Sequence, residues 1–546
     1  MLSSTDVLVV GAGPVGLLLA CELRRQGVNA LLVERQPAPS YFCKALGVTP
    51  RTLEIFEDLG MAEEAIDAGV WLTGQTSFAN GVETASQDLA VSGLPYGFLA
   101  LPQYDTERIL EACLRRHGGT VERGFTLTAF AQGTDDVQAC FVDGTGAEHR
   151  VSCRWLVGCD GAHSVVRKGL GLAFEGDKYS MTFMLGDVDV GWDLPRGRVY
   201  RFAQVEDGQL TNLLVAVPVR GSPRRYRLST AVPETTGEGV VELGAEAQDA
   251  PTLERLAAVA APMLPAGTRL SDLRWSSTYR ISHRIVPRYA MGRVFLAGDA
   301  AHIHPPIGGQ GMNTGLQDAH NLAWKLVLAA RGLAAPGLLE SYSAERQPVG
   351  REVVEQTSRA MDDAIANRPV SQDPLARESQ LFVHYRTSPL VRDDMPAGAA
   401  TEAEAPRPGD RAPDADGLRR PFVARPIRLR DRLGRGRHLL LAYADAGTAG
   451  SDYAAFADLL DALRGRLGDL AAGVVLLAPD ARPVDLERIP FLSDAGDAFR
   501  RAYGARPGMV WLLRPDGHIG WRCDRPDSAG LLRFLDRIVS VPAAAV

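Results

Sequence analysis

The residues best suited to catalysis or ligand binding lie just past the middle of the chain, between Gly292 and Gly315. A short apolar stretch, Arg293 to Ala297, has the character of a buried strand and ends on small residues. Asp299 therefore falls at the carboxyl end of a strand, where α/β folds place polar contacts to ligands. Its carboxylate is suited to accept a hydrogen bond from a hydroxyl group of a bound molecule.

The second half of this segment is a proline- and glycine-rich loop that opens a helix running to about Arg331. Pro306 lies in the loop, and Gly311, Met312 and Asn313 form the predicted helix start. Glycines let the backbone approach a flat ligand, and the first helical amides then point towards it. Because a helix N-terminus carries about half a positive charge, it favours an anionic edge such as that of a reduced flavin ring.

A second constellation lies at the N-terminus. A strand at Asp6 to Val10 and a helix at Leu17 to Gln26 flank a G-x-G-x-x-G turn, and the next strand ends in Glu34. This is the dinucleotide fingerprint, in which the turn approaches a pyrophosphate and the acidic residue binds ribose hydroxyls. Arg35, beside Glu34, is included among the predicted contacts. The predicted contacts within the turn are Gly11, Gly13, Pro14, Val15 and Gly16.

The identity of the dinucleotide depends on the rest of the chain. The sequence contains a single fingerprint of this kind in a strand–turn–helix context, so one resident cofactor is expected there. The segment around Asp299 favours FAD, because a nicotinamide dehydrogenase has no use for a second, flavin-shaped cradle. NADPH or NADH is then expected as a transient co-substrate without a recognisable motif.

Together the two constellations resemble the signature of the class A flavoprotein monooxygenases, the aromatic hydroxylases related to para-hydroxybenzoate and phenol hydroxylase. In that family the segment with the Gly-Asp pair holds the ribityl chain of FAD, and the start of the next helix faces the flavin pyrimidine. The resemblance implies these roles for Asp299, Pro306 and the helix start at Gly311, Met312 and Asn313.

The same resemblance implies four further FAD contacts. Lys44 stands where many relatives have arginine, and because lysine lacks the bidentate fork, this contact is expected to be weaker. Gln103 resembles a family glutamine beside the flavin, although an ordinary helix cap explains it equally well. Leu127 would present backbone to the adenine. Asp160 belongs to a short Asp-Gly motif that touches FAD indirectly and is implicated in NADPH use.

The order of the motifs implies an α/β (α+β) architecture in three parts. These are a Rossmann-type FAD-binding domain at residues 1–177 and 283–394, an inserted antiparallel-sheet substrate domain at 178–282, and a thioredoxin-like domain at 407–546. A linker rich in Ala, Pro and Glu, 395–406, precedes the last part. That part has one cysteine, Cys523, so a dithiol cannot form within it and a packing or interaction role is expected.

The predicted substrate domain consists of long alternating strands, which indicate an antiparallel sheet with one face covered by a helix. The family places its substrate between this sheet and the flavin. Several polar residues of the sheet are pocket candidates, but none is assigned, and no catalytic residue is assigned. The candidates are Tyr200, Asn212, Arg227, Tyr279 and His283.

Composition narrows the class of protein. A net charge of −7 and 46% hydrophobic residues predict a globular protein without an electrostatic footprint for nucleic acid. No apolar run approaches the roughly 18 residues of a membrane span, and no signal peptide is apparent. The seven cysteines are scattered, which favours reduced thiols in a cytoplasmic protein. His302 and His304 lack a further ligand set, so no metal site is predicted. The sequence leaves open whether the protein forms a homodimer.

The resemblance implies an NAD(P)H- and FAD-dependent monooxygenase that uses O2 to hydroxylate a phenolic or polycyclic aromatic substrate through a flavin C4a-hydroperoxide. Two alternatives stay open. One is another flavin enzyme of the same fold, a halogenase or a reductase, although Gly191 to Pro195 does not fulfil the halogenase motif G-W-x-W-x-I-P. The other is a non-catalytic protein that binds flavin or another ligand.

Overall fold

The computed structural model describes residues 4–40, 45–89, 95–207, 209–232, 250–365, 378–396, 405–482 and 488–540. Lys44 lies outside the described residues, so its contact with FAD stays a prediction. The chain forms two compact units, Met1–Ala319 with Arg346–Gln380, and His320–Glu345 with Leu381–Val546. The three-part division expected from the sequence stays a prediction.

The described helices are, in chain order, α1 (Pro14–Arg25), α2 (Pro50–Asp58), α3 (Ala62–Ala68), α4 (Gln103–Arg116), α5 (Val165–Gly169), α6 (Leu253–Ala260), α7 (Gln310–Ala330), α8 (Ser341–Ile365), α9 (Gly450–Leu467), α10 (Ala498–Tyr503) and α11 (Ser528–Leu535). Within these described helices, no stretch is both long and apolar enough to cross a membrane.

The described strands are, in chain order, β1 (Ser4–Val10), β2 (Ala30–Glu34), β3 (Gly47–Val48), β4 (Val70–Leu72), β5 (Gly74–Ala79), β6 (Val82–Asp88), β7 (Phe98–Ala100), β8 (Val121–Arg123), β9 (Phe125–Gln132), β10 (Val137–Asp143), β11 (Glu148–Gly158), β12 (Glu175–Gly191), β13 (Arg198–Glu206), β14 (Gln209–Pro218), β15 (Arg225–Val232), β16 (Arg269–Ile285), β17 (Ala290–Met291), β18 (Val294–Leu296), β19 (His302–Ile303), β20 (Arg392–Asp394), β21 (His438–Ala444), β22 (Ala471–Leu477), β23 (Phe491–Ser493), β24 (Val510–Leu513) and β25 (Ile519–Cys523). They form mixed sheets, and the fold is α/β as predicted.

A largely parallel sheet built on β1 is the frame of the first unit. Its strands follow the order β17-β18-β11-β1-β2-β8, and β18, β11, β1, β2 and β8 are parallel. Val7, Leu8 and Val9 are fully buried, as expected of a central parallel strand covered on both faces. Only β11 separates β1 from β18. The glycine-rich turn after β1 and the turn with Asp299 after β18 therefore lie at the same edge of the sheet.

A second sheet of the first unit follows the order β19-β16-β12-β15-β14-β13-β5-β6. Its neighbouring strands are antiparallel except β13 and β5. Helix α6 covers one face, where Leu256 and Ala260 pack on buried apolar side chains of the strands, including Met184, Phe202 and Leu228. The helix-covered sheet expected from the sequence is thus present, and Met361 of α8 packs with Phe183 on the other face.

The sheet of the second unit follows the order β20-β25-β24-β21-β22-β23. Strand β21 is parallel to β22 and antiparallel to β24, which in turn is antiparallel to β25. The edge strand β20 precedes the predicted linker and pairs with β25 in parallel. Its sequence, Arg-Asp-Asp, has neither apolar alternation nor β propensity, so no sequence pattern indicates this strand.

Buried charged residues join the helical segments of the second unit to its sheet. Glu345 Oε1 accepts a hydrogen bond from Arg514 Nη1 at 2.6 Å, and Glu345 Oε2 accepts one from Lys325 Nζ at 2.8 Å. Asp516 forms a second ion pair with Arg514 at 2.5 Å. All four side chains are at most 2% exposed. The second unit therefore includes residues well upstream of the predicted linker, held by charge pairs rather than by apolar contacts alone.

Candidate functional site

The turn between β1 and α1 has the geometry of a phosphate-binding loop. Gly11 has a φ of 101°, which favours glycine. A Cβ on Gly16 would lie 1.9 Å from the carbonyl oxygen of Gly11, so only glycine lets α1 pack on the turn. A Cβ on Gly13 would meet nothing within 4 Å, and no side chain caps α1, whose first helical residue is Pro14. Uncapped amides facing open space suit an anionic ligand.

Val15 brings this turn into contact with the segment that contains Asp299. A Cβ on Gly298 would lie 2.9 Å from Val15 Cγ2, and a Cβ on Gly315 would lie 2.7 Å from the same atom. Gly298 and Gly315 thus make room for Val15. The two constellations, almost 300 residues apart in sequence, therefore form one site. Asp299 itself is exposed, in a short 3-10 turn directly after β18.

A buried carboxylate on α7 holds the Asp299 turn in place. Asp318 Oδ2 accepts hydrogen bonds from the Gly298 amide at 3.1 Å and lies 2.9 Å from His302 Nε2, and Asp318 Oδ1 accepts one from Arg346 Nε at 2.7 Å. Burial would raise the pKa of Asp318, but Arg346 and His302 outweigh it and hold the pKa below its usual value. The sequence does not reveal this role, because the pattern of a helix does not show whether one of its aspartates is buried or exposed.

The Asp-Gly motif is tied to the same turn. Asp160 Oδ2 accepts hydrogen bonds from the amides of Val165 at 2.7 Å and Val166 at 3.2 Å, at the start of α5. Its buried Oδ1 has no hydrogen-bond partner within the described residues, and burial raises the pKa of this carboxyl. Arg167 on α5 donates to the carbonyl of Ala300 at 3.1 Å. Arg167 thereby joins the two motifs, a role that no local sequence pattern indicates.

The helix start after the proline-rich loop is shaped by left-handed glycines. Gly308 and Gly309 have φ values of 74° and 62°, and Pro306 is exposed beside them. Gly311 and Met312 are partly buried in the first turn of α7. A backbone folded in this way presents amides rather than side chains, as the flavin-edge prediction requires.

Asn313 has a different role from its neighbours. Its Nδ2 donates to the carbonyls of Gly47 at 2.9 Å and Gly309 at 2.8 Å, and its Oδ1 accepts from the amide of Thr49 at 3.0 Å. The carboxamide therefore locks the loop onto β3 and α2. A contact of Asn313 with FAD, which stays a prediction, can accordingly be expected only from its backbone.

Gln103 does not cap its helix, because Pro102 is the cap and Gln103 is the first residue of α4. Its Oε1 accepts from the amide of Ala45 at 3.2 Å, and its Nε2 donates to Glu107 at 2.8 Å. The helix-cap alternative is therefore wrong. Gln103 therefore holds the backbone at Ala45, the residue that follows Lys44.

The adenosine end of the predicted site lies beyond the glycine-rich turn. Glu34 Oε2 accepts from the Ala12 amide at 2.8 Å, which fixes the carboxylate against the turn, while Arg35 is exposed. Leu127 is buried in β9, and two strands, β10 and β11, separate β9 from β1. Within the described sheet β9 pairs only with β10, so its other backbone edge has no strand partner, and the contact of Leu127 with the adenine stays a prediction.

FAD fits the first unit on three observations of its chemistry. Among the described residues, Gly13 faces open space at uncapped helical amides, Asp160 Oδ1 is buried without a hydrogen-bond partner, and Asp299 is exposed at the strand edge. Glycine-rich backbone suits the pyrophosphate, and carboxylates suit hydroxyl groups. The assignment of individual residues to parts of FAD stays a prediction.

The substrate-pocket candidates divide between the two faces of the second sheet. Tyr200 lies in the core under α6, and its hydroxyl donates to the carbonyl of Pro195 at 2.5 Å. Asn212 lies beside Thr230, 3.4 Å from its hydroxyl. Tyr279 lies on the opposite face, in an apolar cluster with Phe183. Burial raises the pKa of Tyr279 to about 12, so its hydroxyl is neutral.

The two histidines after Asp299 each have a polar contact within the fold. His302 contacts Asp318, and His304 Nδ1 lies 2.9 Å from the carbonyl of Pro305. Burial and the neighbouring His302 lower the pKa of His304 to about 4, so its ring is neutral at physiological pH.

Comparison with known proteins assigns both parts of the chain. Residues 4–357 match the FAD binding domain family, and residues 405–542 match the family described as aromatic-ring hydroxylase, C-terminal. The chain is 34% identical to 6-methylpretetramide 4-monooxygenase of Streptomyces rimosus, over 98% of this chain and 94% of that protein. It is 31% identical to pentachlorophenol 4-monooxygenase of Sphingobium chlorophenolicum, over 95% and 94%. The flavin-dependent monooxygenase PieE, solved with FAD and substrate, superposes with a TM-score of 0.81 at 26% identity, covering 98% and 99%.

Proposed function

This chain belongs to the FAD-dependent aromatic-ring monooxygenases, and we propose that it hydroxylates a phenolic or polycyclic aromatic compound with O2 and with NADPH or NADH as electron donor. The observation that carries the proposal is the close approach of Val15, in the glycine-rich turn, to Gly298 and Gly315 on the segment that contains Asp299. The relatives that cover nearly the whole chain are named for polycyclic and phenolic substrates.

When bound, FAD supplies the activation of O2, and the protein supplies binding, orientation and the exclusion of water. The α1 amides near Gly13 would hold the pyrophosphate, Glu34 the ribose and Asp299 the ribityl chain. The first amides of α7 would face the flavin edge and stabilise negative charge there. We expect the aromatic substrate to lie between the second sheet and the flavin, beside the apolar cluster of Phe183 and Ile281 that Met361 of α8 completes.

A screen of phenols and hydroxylated polycyclic compounds for stimulated NADPH oxidation tests the proposal. A true substrate is expected to raise the oxidation rate and to yield a hydroxylated product. A preparation that retains FAD and responds to no member of such a panel would instead support the non-catalytic alternative. The cytoplasmic location stays a prediction, and so does the possible homodimer.

Asp299→Ala is expected to weaken FAD binding about 10- to 100-fold, because a charge-assisted hydrogen bond is worth about 1.5–3 kcal/mol. Fluorescence titration of the apoprotein with FAD measures the effect. Asp135→Ala removes an exposed carboxylate from the same unit and serves as the matched control. Equal FAD affinity in the two variants would show that Asp299 is only a strand-end residue.

For the C-terminal part we propose a thioredoxin-like fold without redox chemistry. The strand order β22-β21-β24-β25, with α9 joining β21 to β22 and α11 after β25, supports this proposal. Cys523 is buried, its Sγ lies 2.9 Å from the carbonyl of Arg525, and burial raises the pKa of the thiol. A buried, protonated thiol is a poor nucleophile.

Cys523→Ser is therefore expected to leave both FAD binding and the coupling of NADPH oxidation to product unchanged. The measurement is the ratio of product formed to NADPH consumed. A variant that binds FAD but fails to couple the two would mean that this thiol carries electrons or bonds to a partner.

A further inference from the structure

A loop of the second unit has an apolar tip that lies outside the core. Residues 419–426, with the sequence Arg-Arg-Pro-Phe-Val-Ala-Arg-Pro, are closed at their base by two backbone hydrogen bonds between Leu418 and Ile427. Phe422, in the middle, has a relative exposure of 109%, and Val423 is 46% exposed. No other large apolar side chain among the described residues is more than 68% exposed. The ring of Phe422 therefore projects into solvent.

The backbone holds the ring in this exposed position. Phe422 has a φ of 60°, a left-handed conformation that disfavours a bulky side chain. Pro421 and Pro426 restrict the loop, because the proline ring fixes φ. Arg419 Nη1 donates a hydrogen bond across the loop to the carbonyl of Ala424 at 3.1 Å. An exposed aromatic side chain on a strained backbone adds nothing to the core, which points to a binding role.

Arginines flank the tip and continue into the segment that follows it. Between residues 419 and 437 the chain has eight arginines and one acidic residue, Asp431, although the net charge of the whole chain is −7. The arginines are Arg419, Arg420, Arg425, Arg428, Arg430, Arg432, Arg435 and Arg437. This surface therefore has the opposite sign of charge to the protein as a whole, and it attracts anions.

Carboxylates balance only part of this charge. Arg428 lies 3.6 Å from Asp414 and 3.9 Å from Asp431. Burial and three nearby arginines lower the pKa of the Arg432 guanidinium against the opposing effect of Asp431. The three arginines are Arg420, Arg437 and Arg435. Because like charges repel one another here, an anionic surface beside them would stabilise the cluster.

We propose that the 419–426 loop binds the protein reversibly to an anionic lipid surface. In this arrangement the ring of Phe422 inserts at the boundary between headgroups and acyl chains, and the arginines bind lipid phosphates. Guanidinium groups pair with phosphate through charge-assisted hydrogen bonds. An apolar side chain and a basic cluster together supply the two signals that peripheral membrane binding requires.

The shape of the loop favours a lipid surface over an acidic protein. A specific protein interface buries about 800 Å² on each partner and has an apolar core. Here the large apolar side chains at the tip are only Phe422 and Val423, on a loop that projects from the unit. A lipid surface needs no complementary pocket, since headgroups and acyl chains move aside for an inserted ring. A small apolar tip among many arginines therefore suits lipid.

Co-sedimentation of the full-length holoenzyme with vesicles tests the proposal. The vesicles are phosphatidylcholine alone, or phosphatidylcholine with about one third phosphatidylglycerol. Binding is expected only to the anionic vesicles, and it should weaken between about 0.1 and 1 M salt because screening increases. Arg420→Gln and Arg425→Gln should each lower the affinity about fivefold. Arg501→Gln removes an exposed arginine of α10 in the same unit and is the matched control, with no expected change.

Variants of the ring test its insertion. Phe422→Ala is expected to lower the affinity for anionic vesicles about tenfold, because the ring no longer leaves water. Phe382→Ala removes the next most exposed ring of the same unit and should change nothing. Phe422→Trp should retain binding, and brominated acyl chains should quench its emission more than that of the wild type. All three variants are expected to melt as the wild type does, because these rings lie outside the core.

The proposal is overturned if the holoenzyme does not bind anionic vesicles at about 0.1 M salt. It is also overturned if Phe422→Ala and Arg420→Gln bind them as the wild type does, or if Phe422→Trp is not quenched. Poly-glutamate is the probe for an acidic protein partner. Tighter binding of poly-glutamate than of vesicles, lost in Arg420→Gln but not in Phe422→Ala, would assign the surface to such a partner instead. Since no measurement needs an aromatic substrate, each outcome is independent of the proposed hydroxylation.

Discussion

A Gly16→Ala variant is expected to be recovered without FAD. The added Cβ would lie 1.9 Å from the Gly11 carbonyl oxygen and 3.3 Å from the Cβ of Cys159, so α1 must move away from the turn and from β11. Since the closest of these atoms is backbone, no side-chain rotation relieves the clash. The ratio of FAD to protein in the purified variant, measured by absorbance, is expected to fall close to zero.

Gly13→Ala provides the matched contrast within the same turn. Gly13 has a φ of −70°, which alanine adopts freely, and its Cβ would meet no atom within 4 Å. The apoprotein should therefore melt as the wild type does, while FAD affinity falls because the methyl group occupies the space that the pyrophosphate needs. Gly465→Ala, in α9, adds a methyl group in open space and should change neither property. Normal FAD content in Gly16→Ala would contradict the predicted loop.

Glu345→Ala is expected to lower the free energy of unfolding of the second unit by about 3–5 kcal/mol, because it leaves buried Lys325 and Arg514 without their shared counter-charge. Denaturant unfolding followed by circular dichroism measures the loss. Asp469→Ala breaks an exposed pair with Arg331 and should cost about 1 kcal/mol or less. Similar losses in the two variants would mean that the buried pairs are not what joins the helical segments to this sheet.

The sequence predicted the parts of the fold that rest on local pattern. The apolar run of β1, the glycines at 11, 13 and 16 and the acidic end of β2 are a local signature, and the structure has each of them in the expected element. The same holds for Asp299 at the end of β18 and for the amphipathic start of α7. These features depend on residues that are neighbours in the chain, so their spacing is visible without knowledge of the fold.

The contacts that hold the site together were not predictable in this way. Asp318 reaches the Gly298 amide, Arg167 reaches the Ala300 carbonyl, and Asn313 reaches Gly47, across separations of 20 to 266 residues. Each of these side chains is a common polar residue on a helix, where burial and exposure share one sequence pattern.

The fate of molecular oxygen tests most directly whether this chain is an aromatic-ring monooxygenase. The holoenzyme is supplied with NADPH, isotopically labelled O2 and a phenol that stimulates NADPH oxidation. The mass of the product is then measured by mass spectrometry. The expected result is one labelled oxygen atom in the ring product for each NADPH consumed in coupled turnover. A product whose new oxygen comes from water, or an aromatic substrate that is reduced or halogenated without gaining oxygen, would contradict the assignment.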